Sequence, residues 1–136
     1  MRFPFRSQLE SSDCGPACIQ MVAAYFGKRL SLSVLKEYCN VTRVGVSLKD
    51  VLDGCRRIGL RAVPLQLTVD KLKEMPLPAI LYWKQEHFVV LHGVSHKKGE
   101  VYYHIADPMH IFLSDTFVHY LLQKKRNQET DTESQD

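Results

Sequence analysis

Asp13-Cys14-Gly15-Pro16-Ala17-Cys18-Ile19-Gln20-Met21-Val22-Ala23-Ala24-Tyr25-Phe26-Gly27 joins loop chemistry at one end to a helical period at the other. From Cys14 onward the less polar positions 14, 17, 18, 21, 22 and 25 follow the i, i+3, i+4, i+7 spacing, which predicts a helix with one buried face. Gly27 is its expected C-terminal cap. Ser12 or Asp13 is placed to cap the first turn, and Pro16 is tolerated there because a first-turn N–H has no acceptor in the helix to lose. Cys14 is therefore a first-turn residue. The unpaired N–H groups and positive dipole end of a helix stabilise an anion, so a thiol placed there ionises more readily than a free cysteine, whose pKa is about 8.5. Cysteine on an apolar stripe is usually packing, and Cys18, Cys39 and Cys55 are read that way. Cys14 stands apart through its place at the helix start and through Gly15, which lets backbone approach closely.

Working outward, 136 residues make one domain of common size, with 45% apolar and 24% charged residues, an ordinary composition for a chain with a real core. The net charge is +3, but the last ten residues carry four acids and no base, which leaves 18 bases against 11 acids on the rest. That favours acidic partners. No basic stripe interleaved with aromatics argues for nucleic acid. There is no apolar run of membrane-spanning length, and Met1 to Arg6 has neither the apolar core nor the cleavage site of a signal peptide. Four cysteines in such a chain read as thiols rather than a disulfide frame. Without a C-x-x-C, and with six histidines between 87 and 119 in no ligand spacing, neither a metal nor another cofactor is expected.

Residues 1–12 read as an extended lead-in, with Phe3 and Phe5 on one face if strand-like and Gln8 in the loop before the helix. A second short helix is capped by Ser31 and buries Leu32, Leu35 and Cys39. A third starts at a capping-box pair, Ser47 and Asp50, carries the stripe Leu48, Val51, Leu52, Cys55 and Ile58, and ends at Gly59. Leu60 to Leu67, interrupted by Pro64, reads as an edge strand or extended segment, and Thr68 to Met75 as a two-turn helix capped by Thr68. Three strands follow at Ala79–Trp83, Phe88–Val94 and Val101–Ile105, with His96 to Glu100 as the turn between the last two. A final helix runs from Ser114 to about Lys124. Residues 1–126 form the domain and 127–136 a disordered acidic tail. Helices first and antiparallel strands afterwards predict an α+β fold, with the first helix packed on the sheet.

A cysteine nucleophile needs a base, a group to orient the base, and donors for the oxyanion. His87 begins one strand and Asp107 ends the next in the same hairpin, so pairing brings both to one end of the sheet. There Asp107 can fix the imidazole tautomer and favour the imidazolium. His92, five residues on, points to the opposite face of a regular strand. His96, His104, His110 and His119 read as solvated. Gln8 is the candidate oxyanion donor beside the backbone N–H of Cys14. On its own each of these residues has a plainer reading, a loop glutamine as polar surface and Asp-Pro as a strand-ending turn.

Gln8, Asp13-Cys14-Gly15-Pro16-Ala17-Cys18, Met21, Tyr25-Phe26-Gly27, His87-Phe88-Val89-Val90-Leu91 and Ala106-Asp107-Pro108, in this order, resemble the N-terminal peptidase domain of bacterial peptidase-containing ABC exporters. The likeness runs from about Phe3 to Leu122. It implies a papain-like fold and a cysteine peptidase that cleaves leader peptides after a double-glycine motif as bacteriocins or signalling peptides are exported. By resemblance Cys14 is the nucleophile, His87 the base, Asp107 its orienting residue and Gln8 the oxyanion donor. The implied partners are a leader peptide and the membrane and nucleotide-binding domains of an exporter, in the same or another chain, which places the domain at the cytoplasmic face of the bacterial inner membrane. The rival is a non-cleaving substrate-binding domain of such an exporter. Degenerate domains of that kind lack the cysteine or the histidine, whereas this chain has both. Two stretches depart from the family pattern. Residues 109–112 contain no glycine, and the turn at 96–100 reads as longer and more basic.

Overall fold

A computed structural model describes residues 3–6, 11–42, 45–83 and 87–109. The predicted final helix and acidic tail, with Gln8, His110 and His119, lie outside the described residues.

After a 3₁₀ turn at Ser11–Asp13, the helices are α1 (Cys14–Tyr25), α2 (Leu32–Tyr38) and α3 (Leu48–Arg57), followed by a 3₁₀ helix at Val69–Glu74. The strands are β1 (Ala79–Trp83), β2 (His87–Lys97) and β3 (Glu100–Ala106), in spatial order β1-β2-β3 and antiparallel throughout. The expected α+β layering is present, with α1 on one face of the sheet.

Local chemistry explains the helix ends. Ser31 Oγ accepts the Val34 N–H at the start of α2, and Ser47 and Asp50 form a reciprocal capping box at the start of α3. All three helices finish with the same pair of bonds, in which the N–H groups of the two residues past the cap reach back to the last turn. The residue that turns the chain there has a positive φ. It is Gly27 after α1 and Gly59 after α3, but Asn40 after α2, one of the few residues besides glycine that adopt this conformation readily.

Two cores sandwich the sheet. On one face Phe88, Val90 and Ala106 meet Cys18, Ile19, Met21 and Val22 of α1, together with Leu35, Cys39, Val51 and Cys55 from the other helices. On the other face Val89 and Leu91 pack with Tyr103, Ile105 and Leu72 of the 3₁₀ helix. The alternation along β2 follows from the two-residue period of a strand. Full burial of side chains such as Phe88, Ile19 and Met21 is worth about 1.5–3 kcal/mol each.

Several expectations change. Residues 60–68 form neither helix nor strand, so of the two readings of that stretch the edge strand is absent, and Pro64 has no N–H to donate to a ladder. The segment at Val69–Glu74 is 3₁₀ rather than α-helical, and Thr68 provides no side-chain cap. The turn between β2 and β3 is only Lys98-Gly99, both at positive φ, because the strands run on to Lys97 and Glu100. That is the type I′ geometry, whose twist matches the flanking strands. The lead-in at Phe3–Arg6 is not a strand either. Phe3 and Phe5 both pack against the helix-side core, and Phe3 stacks on His92 with ring centroids 4.5 Å apart.

Candidate active site

Cys14 is the first residue of α1 and is almost enclosed, at 6% exposure. Gly15 permits that seat. A Cβ at this position would lie 2.6 Å from Val46 Cγ2 and 3.0 Å from Val51 Cγ2, so only glycine lets the helix start settle against α3 and the segment before it.

The sheet brings the remaining groups to the same place. Strand β3 ends at Ala106, opposite Val90, so the first residues of β2 overhang it on that side. Continuing the register sets Asp107 across from Val89, diagonal to His87. His87 Nε2 and Asp107 Oδ1 are 2.8 Å apart, and the same oxygen accepts the Met109 N–H at 3.0 Å. The ring also hydrogen-bonds Cys14. With Nε2 committed to Asp107, the nitrogen left for sulfur is Nδ1. Strand alternation alone would group His87 with Val89, on the face away from α1. As the first residue of its strand, His87 sits at the sheet's end, where its ring reaches the helix start.

The electrostatics follow from these contacts. Burial alone would raise the Cys14 thiol. The hydrogen bond from His87, the N–H groups of Phe88 and Gly15 directed at the sulfur, and the charge of His87 outweigh it and lower the pKa below its ordinary value. His87 is raised from 6.5 to about 9, first by its hydrogen bond to Asp107 and then by that to Cys14. Thiolate and imidazolium thus favour each other. The other thiols behave oppositely. Burial pushes Cys55 up to about 11 and Cys39 up to about 12, and Cys18, enclosed in the core, is raised well above the usual range. Their positions are those of packing residues, as the sequence suggested.

The structure brings Cys14, His87 and Asp107 into one hydrogen-bonded chain, whereas Gln8 falls outside the described residues. His92 lies on the helix face against Phe3, and His104 Nε2 is paired with Ser95 Oγ at 2.9 Å. Sequence reasoning missed the Phe88 N–H, since a backbone donor carries no residue-type signal. It also expected Asp13 as a possible cap of α1. Instead the Asp13 side chain makes no capping bond and lies buried beside Lys36. Among the described residues no cluster of His, Cys, Asp and Glu is arranged to hold a metal, and no helix is long and apolar enough to cross a membrane. An apolar cleft of about 970 Å³ runs between α3, the segment 60–68 and β1. Val51, one of its walls, also touches the Gly15 position beside Cys14.

The model of the Peptidase C39 family matches residues 2–128. The chain belongs to the peptidase C39 family. It is a cysteine peptidase domain, and its α+β fold is papain-like. Among curated proteins, this C39 domain is 33% identical over 107 residues to the colicin V secretion/processing ATP-binding protein CvaB of Escherichia coli, covering 79% of this chain and 15% of that protein. It is 29% identical over 110 residues to the transport/processing ATP-binding protein ComA of Streptococcus pneumoniae, with 76% and 15% covered. The C39 chain thus spans only about a seventh of these relatives. A crystal structure of a double glycine motif protease from an AMS/PCAT transporter, in complex with the leader peptide, superposes with a TM-score of 0.75 at 32% identity, covering 88% of this chain and 84% of that one. The peptidase domain of Streptococcus ComA shares the fold at a TM-score of 0.63 and 22% identity.

Proposed function

We propose that this chain is a leader peptidase that cleaves secreted-peptide precursors after a double-glycine motif, with Cys14 as nucleophile. The observation that carries the reading is the hydrogen-bonded run from Cys14 through His87 to Asp107, in which the thiol is lowered and the imidazole raised. The Cys14 thiolate attacks the carbonyl carbon of the residue before the scissile bond. The resulting oxyanion is met by the backbone N–H of Cys14 and, by family resemblance, by the Gln8 amide. His87 gives its proton to the departing amine, leaving a thioester on Cys14. Water, losing a proton to His87, then attacks the thioester and frees the leader. Asp107 holds the ring with Nδ1 toward sulfur and stabilises its positive charge throughout.

The leader's amphipathic helix would lay its apolar side chains in the cleft lined by Val51, Leu52, Leu65, Ile80 and Tyr82. Its small C-terminal residues would then extend toward Cys14. Similarity to secretion/processing ATP-binding proteins supports work beside the membrane and nucleotide-binding parts of an ABC exporter, in the same or another chain, at the inner face of the cytoplasmic membrane.

The test is steady-state cleavage of a synthetic leader peptide ending in Gly-Gly plus a few residues of cargo. Cys14→Ala should bind the peptide and cut nothing, and Gln8→Ala should lower kcat by about 10²–10³ with little change in binding. Cleavage by Cys14→Ala would end the proposal. Binding without cleavage by the unaltered chain would favour the non-cleaving cargo domain instead.

A further inference from the structure

Exposed cations gather where the ends of α1 and α3 meet. Lys28 Nζ, in the turn after α1, donates to the Ile58 carbonyl just past α3 at 2.6 Å, so the two turns stand side by side. Arg29 follows Lys28, Arg56 and Arg57 close α3, and Arg61 follows the Gly59 turn. Cations are favoured beside the exposed carbonyls of a helix end, but Arg29 and Arg61 lie beyond both helices. Among the described residues none of these side chains is in an ion pair, although Asp53 stands one turn earlier on α3. Apolar side chains stand among them. Tyr25 and Phe26 are 40% and 58% exposed, with their rings edge to face. Leu60 and Ala62 pack on the helix-side core, which leaves Arg61 and Val63 outside, Val63 at 74% exposure.

We propose that these two turns form a face that docks on an anionic lipid surface, with the cations at the lipid phosphates and Phe26 and Val63 entering the headgroup layer. The inference deepens the proposed placement at the cytoplasmic membrane and rests on it. Charge complementarity favours lipid, since the inner leaflet is negative and each Lys or Arg brought to it strengthens binding about fivefold. A protein-binding face gathers its apolar side chains into a core depleted of charge. Here Phe26 and Val63 each stand two residues from a cation, Lys28 and Arg61, which is the mixed pattern of a surface that lies in the headgroup region. Cys14 is at the opposite end of α1, roughly 17 Å along the helix axis, so docking leaves it clear of the lipid.

The test is co-sedimentation of the full chain with vesicles of phosphatidylcholine, alone or mixed with phosphatidylglycerol in roughly equal parts. No peptide substrate is present, so the outcome is separate from that of the cleavage assay. The unaltered chain should sediment with the mixed vesicles at about 0.1 M salt, stay in solution with phosphatidylcholine alone, and be released at about 1 M salt, where charges are screened within about 3 Å. Arg29→Gln/Arg56→Gln should weaken binding roughly thirtyfold, and Phe26→Ser several-fold. Lys71→Gln/Lys73→Gln removes the same charge from the 3₁₀ helix on the other side of the sheet and should bind as the unaltered chain does. Failure to sediment with the mixed vesicles overturns the proposal, as do equal losses in the two double variants, which would make net charge the cause. A raised KM for leader cleavage by Arg29→Gln/Arg56→Gln without vesicles also overturns it, by assigning these cations to the peptide. If circular dichroism finds that double variant unfolded, Arg29→Gln alone makes the comparison: a loss of about fivefold supports the proposal and no loss overturns it.

Discussion

Replacing Asp107 with asparagine isolates the charge behind the His87 imidazole. Asp107 Oδ1 accepts from both His87 Nε2 and the Met109 N–H, at 2.8 and 3.0 Å, so an amide oxygen in the same place can keep both bonds while the negative charge disappears. His87 stands at about 9 instead of 6.5, with Asp107 as the first cause. An adjacent opposite charge is worth about 1–3 pKa units, so the imidazolium should be lost at a correspondingly lower pH in the variant. The assay is kcat/KM for one leader peptide against pH, with circular dichroism of each sample. The unaltered chain should hold its activity up to an alkaline limb near 9 and lose it above, as His87 deprotonates. In Asp107→Asn that limb should fall by at least about one unit, costing about twofold at roughly pH 8, approaching tenfold at roughly pH 10, and very little at roughly pH 6. The thermal cost has a sign as well. His87 is raised on folding, so its contribution to stability is full below 6.5 and lost as pH rises through about 9. Asp107→Asn should therefore lower Tm more at about pH 6 than at about pH 10. An alkaline limb at the same pH in both proteins would refute the role given to Asp107.

Two further outcomes follow from packing and burial. Gly15→Ala puts a Cβ 2.6 Å from Val46 Cγ2 and 3.0 Å from Val51 Cγ2, and should destabilise the fold by about 1–3 kcal/mol in urea titration and slow cleavage by shifting the helix start. Val46→Ala in the same chain should recover part of that stability, and a neutral Gly15→Ala would contradict the close approach. Limited iodoacetamide at neutral pH should modify Cys14 before Cys18, Cys39 or Cys55, whose thiols burial holds protonated, and cleavage should fall in step with that label. Equal labelling of all four would return Cys14 to the packing class.

The sequence by itself determined whatever depends on neighbours along the chain. The span of α1, the Ser47–Asp50 box, the glycines that end α1 and α3, and the five residues of β1 were all legible, because each is set by spacing of a few residues; the single buried face expected of α1 was not, since Gly15, Pro16, Ile19 and Ala23 are buried as well and Tyr25, expected inside, is exposed. The meeting of His87 and Asp107 was legible for a related reason, since a hairpin maps sequence distance onto a fixed end of the sheet. What only the tertiary structure decided were contacts between elements that share no period. At Gly54 in α3, to which no local rule gave a role, a Cβ would stand 2.5 Å from Cys39 Sγ, so this glycine sets how closely α3 can approach the end of α2. Local rules offered Ser12 or Asp13 as the helix cap, but Asp13 makes no side-chain cap and lies buried with Lys36, twenty-three residues away, 3.2 Å from its Oδ1. A buried charge takes the partner that three-dimensional packing brings within reach, and no spacing in the sequence encodes that distance.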